Sequence, residues 1–359
     1  MPAPKNHGKY FKISLFFILY LLVISSCKKD DPPTNDDYPL IRKEDTLKNY
    51  SPVVRFDITS RLLEGKHIDC IEPDYKGNIW VASGKELYYK NGSEEKTYTL
   101  DFPILDISIA GDETLWIGTN GGGLGHLSKN GMTWYTKANS GLPRDYINNV
   151  EVGLDGRVWF SSAAHDLGGL VVYNGKKFTL FTPENSKLNQ HVIDDIGIDH
   201  NGSLYVITMG TVGKTNIYRI SDDSWECLGN ENGTFYWVTA FTVGPAGIIY
   251  LLEDFMLSSS NTDYNTLFEY RDNTWKKLEA DFMTSRLTFF PAIKADRRNY
   301  CWAASIKDNS YVLHVYNGNS WTEPPGGLFL NDKITTIETD GDNNVWVGTD
   351  KNGIFILNQ

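Results

Sequence analysis

Asn344-Val345-Trp346-Val347-Gly348-Thr349 and Thr114-Leu115-Trp116-Ile117-Gly118-Thr119 are two copies of one short apolar strand centred on a tryptophan. The same pattern, an aromatic within an apolar run, recurs at Trp80, Trp159, Tyr205, Tyr250 and Trp302. Successive anchors lie 36, 43, 46, 45, 52 and 44 residues apart, a period that belongs to repeat architectures. Nine residues before each anchor stand Ile71, Ile107, Val150, Ile196, Phe241, Ile293 and Ile337. Twelve before stand Ile68, Ile104, Ile147, Ile193, Val238, Phe290 and Ile334. Only 41% of the chain is hydrophobic, so unbroken apolar occupancy of both positions marks a buried strand ahead of every anchor.

Turn signals separate these strands. Lys76-Gly77, Asp155-Gly156 and Asn201-Gly202 precede anchor strands. Asn91-Gly92, Asn130-Gly131, Asn174-Gly175 and Asn317-Gly318 follow a third strand, where a tight hairpin needs positive φ. A fourth strand follows, carrying an aromatic such as Trp134, Phe178, Trp225 or Trp275. Each unit is thus a four-stranded antiparallel meander, and the fold class is all-β: a seven-bladed β-propeller. A solenoid would need capping units, and the sequence shows none. The seventh unit runs out at Ile354-Phe355-Ile356-Leu357 without a fourth strand, whereas Pro52–Asp57 reads as a strand without a partner. Ring closure is therefore expected, with an N-terminal strand completing the last blade and hiding its edge.

Gly77-Asn78-Ile79-Trp80-Val81 and the two Trp-x-Gly-Thr strands resemble the two-component regulator propeller repeat, and Ser140-Gly141-Leu142-Pro143 is similar to its inter-blade loop. The resemblance covers about residues 52–359, although units four to six lack the Trp-x-Gly-Thr core. It implies a sensing propeller of the kind often attached to hybrid histidine kinases that respond to glycans. No stretch after the propeller reads as a membrane helix or kinase, so signalling through a kinase of its own is not expected.

The head of the chain reads as an address. Residues 1–26 carry Lys5, Lys9 and Lys12, then an apolar run from Ile13 to Ile24, too short to span a bilayer comfortably. Ile24-Ser25-Ser26-Cys27 resembles a bacterial lipobox, which implies cleavage before Cys27 and its acylation. Residues 27–50 then form a polar tether, and residues 51–359 the propeller. The expected location is the outer membrane of a Gram-negative cell, lipid-anchored, facing the periplasm or, given the Lys28–Asp31 cluster, the cell surface.

Loss of the three lysines takes the net charge of −11 to −14, which argues against a nucleic-acid partner. Four cysteines make no disulfide framework, and Cys70, Cys227 and Cys301 are expected as buried free thiols within strands. No nucleophile elbow, zinc helix or dinucleotide fingerprint occurs.

Propeller ligands are expected on the face formed by inter-blade connections and the loops between strands two and three. Candidate binding residues there are Lys66, His67, Asp145, Tyr146, His191, Lys214, Tyr236, Trp237 and Asp332. His165 and Asp166, in the second loop of unit three, are expected near His191. This constellation suits ligand binding or, on the analogy of the streptogramin lyase propellers, acid–base chemistry with a divalent metal. The leading expectation is a non-catalytic module without cofactor that captures a glycan or a partner protein of the envelope. The alternatives are a metal-dependent propeller enzyme and an accessory subunit of a secretion or uptake complex.

Overall fold

The computed structural model describes residues 57–74, 76–162, 168–209, 214–222, 224–229, 235–253, 266–279, 292–307, 310–323 and 329–358. They form seven antiparallel sheets, each an up-and-down meander. The first strands of the blades are Cys70–Pro73, Ile104–Ile109, Ile147–Val152, Ile193–Ile198, Val238–Val243, Ile293–Ala295 and Ile334–Thr339. They touch in sequence order around a ring, and the last also touches the first. The chain is a seven-bladed propeller with these strands innermost.

Asp57–Leu62 pairs antiparallel with the final strand, Ile354–Asn358, with Leu62 opposite Ile354 and Asp57 opposite Asn358. The pairing strand thus sits downstream of the apolar run expected to supply it, and residues 52–56 of that run lie outside the described residues. A fit at Leu62 sets the register: its side chain packs on a cluster with Ile68, Ile79, Ile354 and Ile356. The crossing to blade one is tight. Gly353 donates its N–H to Lys66 O, and a Cβ on Gly353, whose φ is 71°, would lie 2.2 Å from Leu62 O.

The core is distributed. Buried apolar residues fall into seven clusters, one per seam, such as Ile104, Ile107, Leu115 and Ile117 of blade two with Ala82 and Leu87 of blade one. This explains why the strands are apolar on both faces: each sheet is sandwiched between two neighbours. The anchor strands Leu115–Thr119, Val158–Ser162 and Val345–Thr349 are buried throughout.

Every hairpin between first and second strands has five connecting residues, and the fourth takes positive φ: Gly77, Glu113, Gly156, Gly202, Gly247, Asn299 and Asn343. An aspartate opens four of these turns and organises them. Asp340 Oδ1 accepts the N–H groups of Asp342 and Asn344, while Oδ2 accepts from Asn344 Nδ2 and from the anchor indole, Trp346 Nε1, at 3.0 Å. Asp296 accepts from Trp302 Nε1 and Asp199 from the Tyr205 hydroxyl in the same way. The anchors' polar atoms thus serve the turn, leaving their rings to pack.

Two sequence expectations change. Cys227 lies exposed on the outer strand of blade four, because that strand has a neighbour on one edge only. Cys70 is only partly buried, which leaves Cys301 as the buried thiol. The −12 position at Phe290 lies outside the described residues.

Candidate functional site

The two faces of the ring differ in how much chain they carry. One bears the uniform five-residue hairpins. The other bears the loops between strands two and three, from two residues in blade one (84–85) to twelve in blade five (254–265). It also bears the inter-blade connections, from four residues (100–103) to fourteen (279–292). In blades four and six these connections add a short fifth strand, Phe235–Tyr236 and Phe329–Leu330, against the top of strand three. The two large hydrophobic side chains that stay exposed among the described residues, Phe102 at 41% and Trp237 at 36%, are both on this face. Variation on a rigid scaffold marks the recognition side of a fold.

The structure gathers the expected residues into separate groups rather than one. Lys66 Nζ contacts Glu86 Oε2 at 2.7 Å, and that hydrogen bond holds the lysine above its ordinary pKa and the carboxyl below its own. His67 stands between two carboxylates across the closing seam, with Nδ1 2.8 Å from Asp350 Oδ1 and Nε2 3.2 Å from Asp69 Oδ1. Asp145 accepts the Lys137 N–H on Oδ1 and the Gly123 N–H on its carbonyl, and Tyr146 bridges to Asn120. These tie blade three's connection to blade two's loop.

Asp332 is a loop anchor. Its carboxylate accepts the N–H groups of Lys333, Lys351 and Asn352 and the Asn352 side-chain amide. Burial works against the charge, but these donors prevail and hold the carboxyl below its ordinary range. His191 packs its Nδ1 3.2 Å from Gly168 O and its Nε2 3.2 Å from Glu184 Oε1. His165 and Asp166, its expected partners, lie outside the described residues, as does Cys27. Among the described residues no group of three or more His, Cys, Asp or Glu side chains is placed to hold a metal ion.

The Tyr236–Trp237 pair forms the remaining group. Tyr236 lies opposite Lys214 in the added strand, and its N–H donates to Glu253 Oε1 at 2.7 Å. Burial raises the Glu253 carboxyl above its usual range, with that N–H working the other way. Glu253 escaped sequence analysis because it ends an ordinary buried strand, and only the added strand brings a donor to it.

The central channel, a cavity of about 550 Å³ lined by the first strands, is a second feature that the sequence alone does not reveal. Its walls present Glu72, Asp106, Glu151, Asp195 and Glu338 together with Arg297 and Lys294, which pairs with Glu338 at 2.6 Å. Burial pushes Asp106 up to about 7, Glu151 and Asp195 up to about 8, and Glu72 well above the usual range. Burial opposes the Lys294 charge, but Glu338 overrides it and holds the lysine above its ordinary value. Asp106 and Glu72 accept main-chain N–H groups of the next blade, and Asp195 and Glu338 meet Asn149 and Lys294 of the preceding one, so the channel carries inter-blade ties. The available signal was positional: they stand eight or ten residues before an anchor, alternating with the apolar −9 position.

This geometry defines a seven-bladed β-propeller with one elaborated face. Residues 328–351, the start of blade seven, match the model of the two-component regulator propeller. That match spans a single repeat unit of the ring. No curated protein matches its sequence. Among solved structures it is similar to the extracellular domain of the putative hybrid two-component system BT4673 from B. thetaiotaomicron, at TM-score 0.58 and 18% identity. That likeness covers 85% of this chain and 40% of that one, so the chain spans two fifths of that domain's length. It is also similar to virginiamycin B lyase from Staphylococcus aureus, at TM-score 0.63 and 14% identity over 85% of this chain and 99% of the enzyme. A third is YCF48 from Cyanidioschyzon merolae, at TM-score 0.60 and 12% identity over 85% and 99%. At these identities the likeness is one of fold.

Proposed function

We propose that this protein is a non-catalytic recognition propeller of the bacterial envelope, held to the outer membrane through acylated Cys27 and its tether, with its elaborated face presented to a glycan or a partner protein. The observation that carries the reading is the asymmetry of the ring. Seven hairpins of one length close one face, while connections of two to fourteen residues and both exposed aromatics crowd the other. A catalytic propeller concentrates its chemistry in a few converging side chains; here the described candidates are spread over separate seams and largely engaged with main-chain groups. The structural likeness to the extracellular domain of a putative two-component system agrees with a sensing role. Binding of this kind needs no cofactor.

The test is retention. The mature lipoprotein, displayed in detergent or on liposomes, is offered oligosaccharides and envelope extracts, and bound species are read by thermal stabilisation and mass spectrometry. A ligand whose binding is weakened by Phe102→Ala or Trp237→Ala, and not by substitutions in the uniform hairpins, supports the reading. Turnover of a bound small molecule, abolished by chelator or by His191→Ala, would replace it with the enzyme alternative.

A further inference from the structure

Trp237 is the single aromatic residue among the described residues with φ in the left-handed region, at 46°. A bulky side chain is an outlier there, in a conformation that glycine or asparagine adopts without penalty. The residue nevertheless keeps about a third of its surface, 36%, open to solvent. The chain is clamped on both sides of it: Tyr236 N–H is held by Glu253 Oε1, and Val238 pairs opposite the same glutamate. The main chain at Trp237 is therefore held at the start of blade five. Strain that the surrounding structure imposes is characteristic of binding positions.

Polar residues of both kinds stand on the strands beside it, Lys214 opposite Tyr236 and Glu253 opposite Val238. Among the described residues the second carboxylate oxygen of Glu253 has no donor, and the exposed ammonium of Lys214, on the residue paired with Tyr236, has no acceptor. A cationic ligand would meet Lys214 and an anionic one Glu253. A neutral polyhydroxylated ring uses both, giving hydroxyl protons to Glu253 and accepting from Lys214 while its C–H face lies on the indole. We infer that Trp237, Glu253 and Lys214 form a stacking subsite for a neutral sugar ring. The inference rests on the elaborated face being the recognition face.

The test uses the whole mature protein and an array of neutral oligomers of glucose, galactose, mannose, xylose and arabinose. Wild type is compared with Trp237→Ala, Trp237→Gly, Glu253→Gln, the rim variant Phe102→Ala and, as the control, Asn201→Ala in an exposed hairpin of the opposite face. Retention of at least one oligomer is expected, weakened about tenfold or more by each change at Trp237 and less by Glu253→Gln. Trp237→Gly is expected to unfold close to the wild-type temperature, since relief of the positive-φ strain offsets the loss of the covered part of the indole. A wild type that binds no oligomer, a Trp237→Ala protein that binds as wild type, or a Trp237→Gly protein that unfolds much more easily overturns the subsite. If wild type instead retains a protein through a contact sensitive to Phe102→Ala, the sugar subsite falls while the recognition face stands.

Discussion

The carboxylate of Asp106 in blade two accepts the main-chain N–H of Val150 in blade three at 2.8 Å. Ser108 Oγ does the same for Val152 N–H, Thr242 Oγ1 for Ala295 N–H, and Glu72 Oε1 reaches Ile109 N–H at 3.4 Å. Asn149 donates to Asp195, Lys294 pairs with Glu338, and Thr335 Oγ1 donates to Ile68 O across the closing seam. Innermost strands of neighbouring blades share no ladder, so polar side chains supply the missing bonds. Each contributes about 1 kcal/mol, less than the 1.5–3 kcal/mol from fully burying one Ile or Val behind it. The ties set the spacing of the blades, and the apolar seams supply most of the stability.

Asp106→Ala is expected to destabilise the protein by ~1–3 kcal/mol, because the Val150 N–H is left without its acceptor in a confined channel. Asp106→Asn keeps an acceptor oxygen and should cost less. Urea unfolding of both variants checks this, and equal losses would remove the tie from the account.

Stability should fall as pH rises from about 4 to about 8. Unfolded Asp and Glu titrate near 3.9 and 4.3. In the fold Asp106 is pushed up to about 7 and Glu151 and Asp195 up to about 8. Between those limits the folded state holds more protons, so its advantage is complete below the unfolded values and is lost as pH climbs through the folded ones. Asp332, held low, contributes in the opposite sense, but its share is lost only in acid below this window. The urea midpoint at pH 5.5 should exceed that at pH 8.5, and a Glu151→Gln, Asp195→Asn double variant should flatten the difference.

Gly353→Ala should cost ~2 kcal/mol or more, since its φ of 71° and the carbonyl oxygens of Leu62 and Leu63, 2.2 and 2.4 Å from a Cβ, both exclude the methyl group. The same substitution at Gly175, where a Cβ meets nothing within 4 Å, bears only the φ penalty. A larger loss at Gly353, with faster amide exchange in Ile354–Asn358, would place the damage at the closing strand.

Asp340→Ala should destabilise by ~3 kcal/mol, because one carboxylate serves three turn donors and the Trp346 indole. Differential scanning calorimetry measures the loss. A near-neutral result would mean that the turn is held by its left-handed residue alone.

Cys27→Ser should release the protein from membranes and abolish incorporation of labelled palmitate, without changing the unfolding midpoint of the propeller. Retention at the membrane would sink the lipid anchor.

Much of this fold is local physics. Apolar residues nine and twelve before each anchor, and glycine or asparagine in the turns, follow from strand alternation and from which residues tolerate positive φ. Those constraints act within a few residues of each other, so blade number, strand order and the elaborated face could be read directly from the chain. The ties of Asp106, Glu72 and Thr242, the position of Asp57–Leu62, and the clamp on Trp237 by Glu253 were decided by the closed ring. Each joins groups brought together when a sheet edge meets its neighbour, and a main-chain N–H has no sequence identity by which its partner could be foreseen.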